Sequence, residues 1–383
     1  LMKKLLFISN VTRSITNFAI PSIRAAQELG YAVHMAADYS GFQDDPEKYN
    51  VTLHQIDLAR SPLHPKNLTA YRQMMHLLRT EKFDAIHCNT PIGGLLGRLC
   101  GSRAGVRKII YTAHGFHFYK GAPLLNRLLY KPIERFLAHK TDALITITRE
   151  DYAAAQRFRL KKGGQVFYVP GVGIDRERFL QRTGCRQALR RELSIPEDAV
   201  LLISVGELNE NKNNQVILNA MAACKCQNLY YVLCGVGGQE DALRALAQQL
   251  GLADRVQFLG YRSDIPALFE ASDIFVLPSL REGLSRSVME AMTAGLPCVL
   301  SEIRGNVDLI EPNVGGFLCP ARDPQAFAEA LSRLARDDDL RQRMGAHNAE
   351  CSARYDVRNI CSLMDEIYQK TLSSEILTEG EKA

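Results

Sequence analysis

No stretch of this chain approaches the roughly 18 to 20 uninterrupted apolar residues of a membrane span, which excludes a bilayer-crossing helix from the expected architecture. The early run Lys3-Lys4-Leu5-Leu6-Phe7-Ile8 is broken by Ser9-Asn10 and reads as a first strand, not as a signal-peptide core. Ten cysteines include no CxxC pair and no Cys/His array of zinc spacing. Cys224-Lys225-Cys226 comes closest, and two ligands do not complete a site, so reduced, mostly buried thiols of a cytosolic protein are expected. There is no low-complexity tract, and no Asp-x-Asp metal motif is recognised. The glycine-rich Cys234-Gly235-Val236-Gly237-Gly238 lacks the full GxGxxG frame.

What is present suits two domains, since 383 residues exceed one ordinary core. Short apolar, β-branched runs (Leu5 to Ser9, Ala32 to Ala37, Val51 to Ile56, Ala85 to Cys88, Lys108 to Ala113, Ala143 to Thr148, Val166 to Val169) alternate with helical patterns such as Ile20 to Leu29 and Leu68 to Leu78. That is the pattern of βαβ units and a doubly wound parallel sheet. Pro170-Gly171-Val172-Gly173-Ile174-Asp175 punctuates the middle of the chain. The alternation then restarts at Ala199 to Val205, Tyr230 to Cys234, Val256 to Leu259, Ile274 to Leu277 and Cys298 to Leu300. The expected fold class is α/β with two Rossmann-like doubly wound domains facing across a cleft, where open α/β sheets bind ligands.

The net charge of +5 hides an asymmetry: residues 1–174 carry 24 Lys+Arg against 12 Asp+Glu, net +12, leaving 23 against 30 in the rest, net −7. A positive first half favours an anionic surface or partner. Its basic residues are scattered and form no nucleic-acid reading motif, so no nucleic-acid partner is expected.

Glu282-Gly283-Leu284-Ser285-Arg286-Ser287-Val288-Met289-Glu290 follows the strand Ile274 to Leu277 and opens a helix. A carboxylate in such a loop accepts hydrogen bonds from sugar hydroxyls, and a glycine lets backbone N–H groups approach a ligand at the helix start. Spacing alone equally suits a helix-start acid and a solvated helix residue. Continued by Ala294-Gly295-Leu296-Pro297, however, the segment resembles the donor-site signature of family-four retaining glycosyltransferases of the GT-B fold, in its bacterial capsular and exopolysaccharide subgroup. The resemblance implies that Glu282 contacts the transferred sugar, that the backbone of Gly283, Leu284 and Ser285 binds sugar and phosphate, and that Glu290 holds the ribose. It further implies an acceptor-binding domain over 1–172, a donor-binding domain over 173–358, and, within 359–383, a helix of about 359–372 crossing back to the first domain, plus a tail.

Val205-Gly206-Glu207-Leu208-Asn209-Glu210-Asn211-Lys212 ends a strand and enters a helix, where phosphates dock. Lys212 is the candidate phosphate clamp beside Gly206, and the alternative is an ordinary surface lysine. Glu207 stands where the resembling family has an arginine, so a cation is missing, and Arg286 or an arginine of the first domain is expected to replace it. By resemblance the backbone near Arg262, in Gly260-Tyr261-Arg262-Ser263-Asp264, contacts the nucleobase.

In the first half, Tyr111-Thr112-Ala113-His114-Gly115-Phe116-His117 leaves a strand into a glycine-containing loop. The family has a histidine in the matching loop over the donor sugar, which favours His114 as a catalytic residue together with Glu282 and Lys212. His117, Asn10 and Thr12 are acceptor-side candidates. From Leu124 to Leu137, leucines recur at helical spacing beside Arg127, Lys131 and Arg135, with Pro132 starting or kinking the helix. The stretch is either a core helix with a basic edge or an interfacial helix on anionic lipid.

The resemblance implies a metal-independent hexosyl transfer, without cofactor, from a nucleotide sugar, with UDP as the expected carrier, to a lipid-linked or oligosaccharide acceptor in surface-polysaccharide assembly. The enzyme would be cytoplasmic, with a peripheral seat at the inner face of the cell membrane. Two rivals remain open: a UDP-sugar 2-epimerase of the same fold, which would convert donor without acceptor, and a non-catalytic nucleotide-sugar-binding protein, which would release no free UDP.

Overall fold

The computed structural model describes every residue except 1, 16–18, 60, 62–63, 225 and 374–383. The polar tail expected at the end of the chain lies outside the described residues. The chain forms two compact units, residues 1–173 with 357–383, and residues 174–356.

The first unit runs β1 (Lys3–Val11), α1 (Ile20–Glu28), β2 (Tyr31–Asp38), β3 (Val51–Gln55), α2 (Lys66–Glu81), β4 (Ala85–Asn89), α3 (Pro91–Ala104), β5 (Lys108–Ala113), α4 (Leu124–Ala138), β6 (Ala143–Thr146), α5 (Arg149–Ala155) and β7 (Gln165–Tyr168). Its seven strands are all parallel, in the order β3-β2-β1-β4-β5-β6-β7. Alternation along β1 builds two cores, because successive side chains leave a strand on opposite faces. Leu6 and Ile8 pack with Met74 and Leu78 of α2 and Cys100 of α3, while Leu5 and Phe7 pack on the other face with Ile23 and Ala26 of α1.

The second unit runs α6 (Arg176–Leu180), α7 (Arg186–Glu192), β8 (Val200–Val205), α8 (Gln215–Ala223), β9 (Leu229–Cys234), α9 (Glu240–Gln249), β10 (Val256–Gly260), α10 (Ile265–Ala271), β11 (Ile274–Leu277), α11 (Arg286–Thr293), β12 (Cys298–Ser301), α12 (Asn306–Leu309), β13 (Gly316–Cys319), α13 (Pro324–Arg336) and α14 (Asp338–Cys351). Its six parallel strands are ordered β10-β9-β8-β11-β12-β13. The edge strand β13 was not expected from the sequence. Gly316-Phe317-Leu318-Cys319 is short, holds no β-branched residue and begins with a glycine whose added Cβ would lie 1.9 Å from the Cys298 carbonyl oxygen.

The final helix α15 (Val357–Leu372) packs on α1 in the first unit, placing Ile360, Met364, Ile367 and Tyr368 in the core with Leu5 and Phe7. Ile174 and Asp356 form a β-bridge, which puts the two ends of the second unit side by side and sets its limits at those residues.

Candidate functional site

In both sheets the strand order reverses beside the first strand of the unit, between β1 and β4 and between β8 and β11. Loops leaving neighbouring strands at such a point diverge to opposite faces and open a crevice beyond the carboxyl ends. The predicted donor residues fall there: Gly206 to Lys212 leave β8, and Glu282 to Ser285 leave β11.

Those two loops are stitched together by hydrogen bonds to backbone carbonyls. Leu280 N–H donates to Asn211 O at 2.7 Å, and Asn211 Nδ2 donates to Arg281 O at 2.9 Å. Asn213, in the left-handed region at φ 55°, donates to Pro278 O and Ala321 O at 3.1 and 2.7 Å. The stitching delivers Lys212 Nζ to 2.7 Å from Glu282 Oε1, with both side chains largely shielded from solvent. Gly206 has φ 151°, and an added Cβ would come within 3.2 Å of the Lys212 stem. A side chain there would push the ammonium away, so the glycine keeps the lysine's path open.

The glycine-rich loop after β9 is a packing device. A Cβ on Gly235 would lie 1.9 Å from Gly206 O, and one on Gly237 would lie 2.3 Å from Leu208 O. Close backbone approach therefore fixes the exit of β8.

Gly206, whose Cβ position lies next to the Lys212 stem, also lines a cavity of ≈ 540 Å³ with Arg178, Val205, Glu207, Gly235, Tyr261, Arg262, Ser263, Ile265 and Glu290 among others. Burial pushes the Glu290 carboxyl above the usual carboxylate range, while the Arg286 and Arg178 guanidinium groups pull it back. Arg286 Nε donates to Glu290 Oε1 at 2.8 Å. The cation expected to replace the missing arginine is thus engaged with the second glutamate. Arg262 grips Asp264 with two hydrogen bonds of 2.8 and 2.6 Å. Arg178, which donates to Ser263 O at 2.8 Å, shares the cavity with Glu207 and was not foreseen. Nothing in its local sequence marks it, because its relevance arises from the return of α6 to the loop after β10.

Ser285 caps α11 from a non-helical conformation without a side-chain bond to the helix amides, its hydroxyl lying 3.2 Å from that of Ser287. Gly283 is pressed by Gly305, at φ 89°, whose added Cβ would fall 1.5 Å from Gly283 O. Gly305 lies in the loop after β12 and was also missed.

In the first unit, Asn10 stands at the end of β1, its carboxamide oxygen accepting from Gly93 N–H at 2.9 Å and from the Thr90 hydroxyl at 2.7 Å. Thr90 is held at φ 64°, a left-handed conformation that a β-branched residue adopts only under constraint. The Thr12 and Ser9 hydroxyls lie 2.9 Å apart. His114 follows β5 with Nε2 3.3 Å from Asn89 Oδ1, and burial pushes its pKa down to about 3. His114 and Asn89 line a cavity of ≈ 30 Å³, about the size for one water. His117 stacks obliquely on Tyr130, ring centroids 4.8 Å apart. His114 therefore belongs to one unit and Lys212, Glu282, Glu290, Arg262 and Gly206 to the other.

One reading of the sequence needs correction. Asp337-Asp338-Asp339 does contain Asp-x-Asp spacing. These acids serve α14: Asp337 Oδ1 accepts from Leu340 N–H at 2.8 Å, and Asp338 pairs with Arg341 at 2.8 Å. Among the described residues, no group of three or more His, Cys, Asp or Glu could hold a metal ion. No helix among them is long and apolar enough to cross a membrane.

Comparison with known proteins gives the family. The family described as "Glycosyl transferases group 1" matches residues 186–350, and "Glycosyl transferase 4-like" matches residues 4–148. The chain is 36% identical over 372 residues, 96% of each chain, to EpsD of Bacillus subtilis, a protein named as a glycosyltransferase. It is 32% identical over 280 residues, 72% of each chain, to the UDP-Gal:alpha-D-GlcNAc-diphosphoundecaprenol alpha-1,3-galactosyltransferase of Escherichia coli. Solved structures share its fold at lower identity. Anabaena HepE in complex with UDP aligns at TM-score 0.76 and 22% identity over 97% of this chain and 100% of that one. WaaG, a glycosyltransferase involved in lipopolysaccharide biosynthesis, aligns at 0.72 and 20% over 96% and 99%. With both halves matched and two relatives above 30% identity, the chain belongs to the family-four glycosyltransferases of the GT-B fold.

Proposed function

We propose that this glycosyltransferase moves a hexose with retention of configuration from a UDP-sugar to a lipid-linked acceptor in bacterial surface-polysaccharide assembly. The observation that carries the reading is the Lys212–Glu282 pair at 2.7 Å beside the cavity that holds Glu290. A sugar diphosphate presents both kinds of partner such a pair needs, phosphate oxygens for the ammonium and hydroxyls for the carboxylate. The UDP held by HepE and the UDP-Gal and undecaprenyl diphosphate in the name of the E. coli relative support the choice of donor and acceptor.

In this reading Glu290 accepts from ribose hydroxyls, the backbone near Arg262 meets the base, and Lys212 with the amides of Leu284 and Ser285 takes up charge as the C1–O bond to the diphosphate breaks. The acceptor hydroxyl attacks C1 from the same face, and its proton passes to the departing phosphate oxygen, so no carboxylate nucleophile is required. Neutral His114 donates a hydrogen bond to the transferred sugar. Asn10, Thr12 and His117 lie on the acceptor side. The charge on the leaving group is met by protein groups, so transfer proceeds without a metal ion. An acceptor carried on lipid brings the enzyme to the membrane surface.

The test is a panel of nucleotide sugars incubated with a short-chain lipid diphosphate sugar acceptor, with product mass and anomeric configuration read by mass spectrometry and NMR. Transfer in EDTA with an α-linked product from an α-linked donor is expected. Donor isomerised without acceptor would identify an epimerase instead, and a strict requirement for added divalent metal would overturn metal independence.

A further inference from the structure

The second unit has a further cavity, of ≈ 290 Å³, that the transfer chemistry does not use. It lies on the other face of the sheet from the larger cavity. Leu243, in its wall, packs in one core with Leu233 and Val276, whereas Phe179, in the wall of the larger cavity, packs in another with Val232 and Phe275. Successive side chains leave a strand on opposite faces, and the two cavities have no wall residue in common.

The walls come from the segments after β8, β9, β11 and β13, and they are rich in carboxamides. Five of the seven residues from Asn209 to Gln215 carry one. Three of these have a task of the kind that turns and caps commonly give asparagine. Asn209 Oδ1 accepts from Lys212 N–H at 3.1 Å, Asn211 donates to Arg281 O, and Asn213 takes up the left-handed conformation. Asn214 and Gln215 have no such task. Asn214 precedes α8 without a side-chain bond to the helix amides. One end of its carboxamide meets the Tyr231 hydroxyl at 3.2 Å, and the other has no partner among the described residues, although Asn214 is only 5% exposed. A polar end so placed is costly unless something in the cavity answers it. The Gln215 carboxamide makes one long bond, 3.4 Å to Asn213 Oδ1. That of Gln239, which precedes α9, has no partner among the described residues.

The charge of this cavity suits a neutral ligand. Glu210 and Arg322, both exposed, offset one another in its wall. Glu240 and Asp241 open α9 next to Gln239, which disfavours an anion at that helix start. Carboxamides donate and accept as hydroxyls do, so they pair with neighbouring hydroxyls of a sugar without bringing net charge. Leu243 and Leu280 add apolar contacts for the C–H groups of a ring. The volume is close to the low end of the roughly 300–1,000 Å³ of small-molecule sites, room for a ring of monosaccharide size.

We propose that this cavity is a second carbohydrate site, outside the donor crevice, that holds one neutral sugar ring of a glycan through the carboxamides of Asn214, Gln215 and Gln239. None of these three residues has a part in the transfer chemistry, so the site stands apart from the transferase reading.

Saturation-transfer NMR of the full-length protein tests it, with lactose, cellobiose, maltose and N,N′-diacetylchitobiose as probes and UDP in excess to fill the donor crevice. At least one disaccharide should receive saturation. In the double variant Gln215→Ala, Gln239→Ala its affinity should fall at least about tenfold, as loss of two hydrogen bonds predicts. Gln239→Trp, which fills the cavity, should abolish binding, and both variants should keep the thermal stabilisation that UDP gives wild type. The proposal is overturned if no disaccharide receives saturation, or if binding survives unchanged in either variant, which would place the sugar elsewhere. Displacement of the disaccharide by inorganic phosphate would identify an anion site and overturn the carbohydrate assignment. Absence of UDP stabilisation in wild type, with disaccharide binding intact, would sink the transferase reading and leave this site standing.

Discussion

Lys212 and Glu282 reach one another from the ends of two adjacent strands, the ammonium 2.7 Å from a carboxylate oxygen, although 70 residues separate them in the chain. Each satisfies the other, and a sugar diphosphate offers both a richer set of partners. Lys212→Met is expected to lower kcat/KM by about a hundredfold or more, as loss of one preorganised charge typically does. Glu282→Gln should be comparably damaging, and the double variant should cost less than the product of the two effects because they share one ligand. Steady-state kinetics of the four proteins measures this coupling.

Arg286 sits above Glu290 and opposes the effect of burial on its carboxyl. Donor binding that uses ionised Glu290 should weaken as pH falls through its raised pKa, and Arg286→Gln should move that acid limb to higher pH. The stability sign is opposite. A carboxyl whose folded pKa is raised contributes most below its unfolded value and loses that contribution as pH rises through the folded one. Glu290→Gln should therefore raise Tm at pH 8 relative to wild type, change it little at pH 4, and abolish the acid limb of UDP binding measured by calorimetry.

Burial depresses two imidazoles of the first unit to about 3, His87 between the Tyr368 hydroxyl at 2.7 Å and the Thr112 hydroxyl at 2.8 Å, and His114 beside Asn89. Both stay neutral in the folded protein while the unfolded chain takes up protons below about 6.5. Their stabilisation is complete above that pH and is lost as pH falls toward 3. Unfolding at pH 5 should bind protons measurably in calorimetry across buffers of different ionisation enthalpy. In kinetics, His114→Asn should lower kcat by about a hundredfold, without removing any titration step between pH 5 and 8.

Arg98 of α3 is fully buried and holds the Glu134 carboxylate of α4 at 2.9 Å, a pair that predicts an asymmetry in stability. Arg98→Met leaves a carboxylate without its cation and should cost about 3–5 kcal/mol in urea unfolding. Adding Glu134→Leu should recover most of the loss, because the penalty belongs to the unpaired charge.

Gly305→Ala forces a methyl group into the carbonyl of Gly283. Because the clash falls on the loop proposed to bind the donor, UDP-sugar KM should rise at least about tenfold and Tm should fall as well, which kinetics and thermal melts measure.

The layout of strands was legible because parallel strands buried on both faces read as continuous apolar runs, and Leu5 to Ser9 or Ile274 to Leu277 could hardly be anything else. Their ends were less so. Lys3 and Lys4 extend β1 before the apolar run begins, since edge polarity does not stop a ladder that Tyr31 and Ala32 continue. Glu282, Lys212 and Glu290 could be singled out only because their segments resemble the family's donor-site signature, since spacing alone suited ordinary helix and surface residues. Arg178, Asn89 and Gly305 could not, because each acts through backbone or cavity neighbours distant in sequence. The exposed leucines of α4 had helical spacing compatible with a core helix, and only burial distinguishes the two uses.

The last helix has a consequence for how the chain can be made. Phe7 and Ile110 wait on Met364 and Tyr368 to complete their layer, so the first sheet, although synthesised first, lacks a wall until the whole of residues 174–356 has emerged. The second unit is an uninterrupted segment whose two ends meet at Ile174 and Asp356, and nothing it needs arrives late. On the ribosome the order of completion is therefore inverted, the later domain closing before the earlier one.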